Sequence, residues 1–194
     1  MKNYKWNTEH ETGEELHIVL FTSRNKDNKG VENFKQRRKA FLTTRSMDDP
    51  ILISDFIHFA QYGVAGEESR MYYSVNARDP KKINKALIHY LIDNPDLNPA
   101  SIQGKLAAIA AQKECAATKH WMFDFDCPDR LQAEFFKQDI LAIDKDVDVK
   151  IHPTKNNFAI ITNRGFDSRT LLEKWKGVAE LKKDDLLYVL SFTV

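Results

Sequence analysis

Apolar and polar positions follow two different periods along the chain, and the change from one to the other marks its elements. Residues 16–22, Leu-His-Ile-Val-Leu-Phe-Thr, predict a strand, and residues 40–45 predict its partner. Asp48, Asp49 and Pro50 mark a helix start, followed by Ile51, Ile53, Phe56, Ile57 and Phe59. Gly63 and Gly66 bracket a loop. Residues 70–76 then read as a strand, because aromatic and β-branched side chains suit a pleated sheet.

Asp79 and Pro80 open the next helix as cap and first-turn residue. Its apolar face is Ile83, Ala86, Leu87, Tyr90 and Leu91, and Asn94-Pro95 ends it. An alanine-rich helix is expected from about residue 100 to residue 119, with Ile102, Leu106, Ile109 and Ala110 as its buried stripe. Trp121-Met-Phe123 forms a short apolar run into Asp124-Phe-Asp126, and residues 130–143 read as a helix. Residues 147–151 and 157–162 read as two strands joined by a turn at Lys155, Asn156 and Asn157. A helix over residues 170–176 capped by Asp167 and a strand over residues 186–192 complete the series. The pattern predicts an α+β fold: a mostly antiparallel sheet flanked by helices, in one domain over residues 1–194.

The 194 residues are 42% hydrophobic and 29% charged, a soluble globular composition. No run of 18 apolar residues is present and the first residues carry no apolar signal core, so no membrane partner is expected. The two cysteines, Cys115 and Cys127, make no disulfide framework and point to a reducing, cytoplasmic setting. The net charge of +1 excludes a histone-like binder. The charge is unevenly placed, however. Residues 24–45 hold eight basic residues, Arg37, Arg38 and Lys39 among them, against two acidic ones. Residues 1–66 therefore form an N-terminal basic subregion beside a core over residues 67–194. A solvated face is the commoner origin of such a run, and a phosphate-binding footprint is the functional one.

Asp124 and Asp126 carry the most informative chemistry. Residues two apart on a strand point the same way, about 7 Å apart, so these two carboxylates share a face while Phe123 and Phe125 enter the core. Such a pair repels unless it caps a turn, faces solvent or holds a divalent cation; Mg²⁺ or Mn²⁺ with substrate phosphates in its shell suits nucleotidyl transfer. Thr154, Lys155 and Asn156 offer turn N–H groups for phosphate, and Lys150, Lys155 and Arg164 add positive charge. Arg70 and Arg78 flank Tyr72 and Tyr73, and basic residues beside aromatics suit single-stranded nucleic acid.

In its order of elements the chain resembles small phage-type proteins of the archaeo-eukaryotic primase superfamily. Asp124 and Asp126 match that superfamily's DxD motif. The segment from Thr154 to Thr162 resembles its second, hairpin motif, and Lys183, Asp184 and Asp185 resemble its terminal acidic element. The resemblance spans roughly residues 68–190. It implies a primase-polymerase core in which Asp124 and Asp126 are catalytic and hold Mg²⁺ or Mn²⁺, with Asp167, Asp184 or Asp185 as a third acid. Lys150, Thr154, Lys155 and Arg164 would then bind nucleotide, and Arg37, Arg38, Lys39, Arg70 and Arg78 the single-stranded template. It also implies a role in phage DNA replication in a host cytoplasm. One position departs: Ala159 stands where the superfamily has its nucleotide-binding His, with His152 nearby across the hairpin. The alternative is a non-catalytic phage protein that binds nucleic acid or a host protein on the same fold.

Other constellations are weaker. His10-Glu-Thr12 and His152-Pro-Thr154 form a His-x-Thr pair that chance explains. The DxD also resembles the haloacid dehalogenase motif, but Pro128 stands where that motif needs Thr or Val. The histidines and cysteines show no zinc spacing.

Overall fold

The computed structural model describes residues 15–194. In chain order the elements are β1 (His17–Ser23), β2 (Arg37–Thr43), α1 (Pro50–Gln61), β3 (Glu68–Ser74), α2 (Pro80–Asp93), α3 (Ile102–Ala110), β4 (Trp121–Phe125), α4 (Arg130–Ile143), β5 (Val149–Pro153), β6 (Phe158–Thr162), α5 (Arg169–Lys174), β7 (Ala179–Lys182) and β8 (Leu186–Thr193). The fold is α+β. The expected antiparallel sheet is in fact two, in the orders β2-β1-β3-β8 and β5-β6-β4-β7, with every pairing antiparallel. Because β1 and β2 share the first sheet with β3 and β8, residues before and after position 66 build one layer together.

Side-chain alternation gives each sheet two different faces. In the first sheet Val19, Phe21, Met71 and Tyr73 pack on Leu52 and Phe56 of α1. Leu20, Thr22, Arg38, Arg70 and Tyr72 lie in register on the other face. α2 and α3 cover one end of that face over Ile18, Ala40, Leu42 and Leu186. The other end is open. In the second sheet Phe123, Phe125 and Ile160 pack on Phe136 and Ile140 of α4 and Leu171 of α5. Phe123 and Phe125 are fully buried, as the alternation predicts, and each such ring contributes on the order of 1.5–3 kcal/mol. Met122 and Ala159, on the opposite face, meet Leu187 of the first sheet and Val75 just past β3.

Polar residues start α1 and α2 where the sequence places them, whereas α5 spans Arg169–Lys174 behind Ser168 with no side-chain cap, in place of the expected helix over 170–176 capped by Asp167. Asp49 accepts hydrogen bonds from Ile51 N and Leu52 N, Asp79 from Lys81 N and Lys82 N, and Asp129 from Leu131 N. The alanine-rich helix is shorter than expected. A 3₁₀ turn at Pro99–Ser101 leads into α3, which stops at Ala110, and Gln112 is extended (φ −62°, ψ 139°). Cys115 therefore lies in a 3₁₀ turn rather than on a helix. The reason is tertiary. The chain must return to the first sheet, where Asp79 N donates to Cys115 O and Ala117 N to Ala77 O, and Cys115 is buried against Ile18 and Ile83. β7 is unforeseen in the sequence because its alternation, Ala179-Glu-Leu-Lys182, is only four residues long and directly follows the turn at Gly177 (φ +79°).

Asn76 ties the two sheets together. Its amide donates to His120 O, Lys183 O and Asp184 Oδ1, and its oxygen accepts from Thr118 Oγ1 and His120 N. The side chain is buried with its amide and carbonyl groups both paired, which makes this junction a rigid one.

Candidate active site and nucleic-acid interface

The open half of the first sheet faces the second sheet across a cleft of about 600 Å³. Asp124 and Asp126 stand on one wall, with Met122, Ala159 and the turn residues Thr154, Lys155, Asn156 and Asn157. Thr22, Arg24, Lys26, Arg38, Arg70, Tyr72 and Tyr188 stand on the other. An acidic strand end therefore looks onto a basic and aromatic wall.

Asp124 is half-buried near the end of β4, between Ala159 of β6 and Glu180 of β7. Burial pushes its carboxyl above the usual range, and the charges of Asp126, Glu180 and Asp185 add to the rise against the pull of Lys182. Asp126, just past the strand, accepts from Asn157 Nδ2 at 3.1 Å. Asp185 lines the same cleft and accepts from Leu186 N. Of the three acids expected to complete the site, Asp185 alone is there. Asp184 is taken up by Arg78, and Asp167 is held by Arg169 on the surface, its pKa pulled down to about 2. Three hard carboxylate donors of this kind suit a divalent cation. Among the described residues, however, no group of three His, Cys, Asp or Glu side chains converges closely enough to hold one.

The basic wall is partly neutralised. Arg24 pairs with Asp27 at 2.8 Å, Arg70 pairs with Asp27 at 2.6 Å and Glu68 at 2.8 Å, and Lys155 pairs with Glu68. The Glu68–Lys155 pair joins β3 to the β5–β6 turn and so straps the two sheets at the cleft. Arg38 and Lys26 pair with no carboxylate among the described residues. Tyr72 and Tyr188 meet edge to face at 6.0 Å, and the Arg24 guanidinium lies 5.8 Å from the Tyr72 ring centre. Tyr188 was invisible as a site residue in the sequence. Its one signal is the alternation of Leu186 and Tyr188 along the last strand.

The expected site residues thus divide. Asp124, Asp126, Thr154, Lys155, Arg38 and Arg70 come together in the cleft. Lys150 and Arg164 do not line it: Lys150 sits beside Asp148, and Arg164 holds Asp144 at 2.8 Å. Arg37 lies on the far face of β2, donating to Glu67 and to the α1 carbonyls of Phe59 and Ala60. Lys39 shares that face and lies 5.4 Å from the Phe41 ring. Arg78 is buried and bound to Asp184. Trp6 and the triplet from His10 to Thr12 lie outside the described residues.

Ala159 is the direct cross-strand partner of both Asp124 and His152. His152 turns to the other sheet, its Nε2–H donating to Tyr188 O at 3.1 Å. Burial pushes its pKa down, so the ring is neutral at pH 7.

Comparison of the chain with protein-family models, curated proteins and solved structures finds no match. No helix among the described residues is long and apolar enough to cross a membrane.

Proposed function

We propose that the cleft performs metal-dependent nucleotidyl transfer of primase-polymerase type on a nucleic-acid template. The observation that carries the reading is the carboxylate set of Asp124, Asp126 and Asp185 facing Arg38, Arg70 and Tyr72 across one cleft. Burial first, and then the charges of Asp126, Glu180 and Asp185, raise the Asp124 pKa, and a divalent cation would favour its ionised form.

Asp124 and Asp126 would hold Mg²⁺ or Mn²⁺, with Asp185 beside them. When bound, the ion would supply charge stabilisation for the attacking 3′-hydroxyl and the departing pyrophosphate. The protein's own residues divide the remaining work. The Lys155 side chain and the N–H groups of Lys155 and Asn156 bind nucleotide phosphates, since those of Thr154 and Asn157 are bonded within the turn. Tyr72 offers a stacking face, and Arg38 neutralises a template phosphate. The neutral His152 supplies no charge to the site.

A second reading, a non-catalytic nucleic-acid or host-protein binder, draws on Ala159. A methyl group there can neither donate to nor charge-pair with a phosphate. Calorimetric titration of nucleotide with and without Mn²⁺, on wild type and an Asp124→Asn/Asp126→Asn variant, separates the two. Metal-dependent binding lost in the variant, followed by primer extension by the wild type, supports transfer. Oligonucleotide binding without metal-dependent nucleotide binding supports the second reading.

A further inference from the structure

A second groove, of about 830 Å³, opens where α3 lies along β2. Its floor is Leu20 and Ala40, and its helical wall is Ala100, Gly104, Ala107, Ala108 and Ala111. Leu20, Arg38, Asp185 and Leu186 line both this groove and the carboxylate cleft, so the two adjoin at these four residues. Arg38 stands at the junction with no carboxylate partner, and Lys105, equally unpaired among the described residues, stands on the helical wall. Arg78 lines the groove. It is 3% exposed, and its Nε–H has no hydrogen-bond partner.

From this adjacency, with Arg38 at the junction unpaired among the described residues, we infer that a single-stranded polynucleotide runs out of the carboxylate cleft into the α3–β2 groove. The inference rests on the proposed function of the cleft. A monomeric nucleotide would occupy the cleft alone; only a polymer spans both compartments past Arg38. The helical wall suits it. Alanine and glycine give a low surface that a sugar–phosphate backbone can approach, while Arg38 and Lys105 supply donors to phosphate oxygens. Gly104 is informative because its place in the helix is not required by packing: a Cβ built there meets nothing within 4 Å. A larger side chain at 104 would fill the groove and leave the fold alone.

The test uses Gly104→Glu and Lys105→Glu in the full chain. Fluorescence anisotropy reads binding of a labelled oligothymidylate at fixed salt. Calorimetry reads Mn²⁺-dependent nucleotide binding, and thermal melting reads the fold. Either variant should melt no lower than wild type, since Glu is a better helix former than Gly at 104 and the equal of Lys at 105, and should bind nucleotide as wild type does. The oligonucleotide dissociation constant should rise about tenfold or more for each, with a shallower salt dependence. Wild-type oligonucleotide affinity in both variants overturns the groove as the path, and retained nucleotide binding leaves the cleft reading standing. Oligonucleotide binding that is absent from wild type overturns it too. If wild type binds oligonucleotide but not nucleotide, the cleft reading fails, while the tenfold loss in both variants still supports the groove.

Discussion

Asp124 and Ala159 face each other directly across the β4–β6 ladder, and the next residue in that row is His152. The row places a carboxylate, a methyl group and a neutral imidazole side by side on the face that meets the first sheet. The methyl group is buried, packed with Val75, Met122 and Leu187 at the junction of the two sheets. Position 159 is thus part of the joint that fixes the cleft's width, and a ring there must displace core atoms.

Ala159→His should therefore lower stability by about 1–3 kcal/mol through overpacking, without gaining nucleotide affinity. Denaturant titration and nucleotide calorimetry read the two effects. A stable variant that binds nucleotide more tightly would show that the joint has room.

Asp124→Asn should raise the melting temperature at neutral pH while removing metal-dependent nucleotide binding. The folded state holds this carboxyl above its usual pKa. Stability from that shift is complete below the unfolded pKa and is lost as pH rises through the folded one, so at pH 7 the ionised group is a net cost. Removing the charge removes the cost. The gain should vanish in acid, and added Mn²⁺ should stabilise wild type but not the variant. A wild-type response to Mn²⁺ in Asp124→Asn would place the ion elsewhere.

Arg78→Ala should destabilise by about 3 kcal/mol or more. Arg78 donates to both Asp184 oxygens at 2.8 Å, and Asp184 also accepts from Asn76. Removing one partner of a buried ion pair leaves the other charge uncompensated. Because Asp185 is the next residue, the loss should also weaken nucleotide binding in whatever fraction stays folded. Parallel melting and calorimetry check both halves.

Glu67→Gln should flatten the acid limb of the stability curve. Burial pushes the Glu67 carboxyl up, but hydrogen bonds led by that from Arg37 pull it below the usual carboxylate range. A depressed pKa gives stability that is present above the unfolded value and lost as pH falls through the folded one. Wild type should lose stability on acidification over that window, and the Gln variant should start lower and lose less. Equal slopes in acid titrations of the two proteins would contradict this.

The sequence alone determined the local structure and the sidedness of β4. Alternation in Trp121-Met-Phe-Asp-Phe-Asp126 sends Phe123 and Phe125 inward and leaves Asp124 and Asp126 on one face, whatever the strand packs against. Asp-Pro and Asp caps fixed the starts of α1, α2 and α4 in the same local way. Only the tertiary structure decided what those carboxylates face. The division into two sheets, the four residues of β7 and the early end of α3 depend on partners far along the chain. So does the sorting of equivalent charges: Arg38 and Arg70 enter the cleft, while Arg37 and the buried Arg78 brace Glu67 and Asp184. Neighbouring arginines look alike in a sequence because their pKa and length are the same. A one-residue step along a strand reverses the face, and the long-range carboxylate waiting on that face decides whether the charge serves the fold, as at Arg37 and Arg78, or stays free for phosphate, as at Arg38.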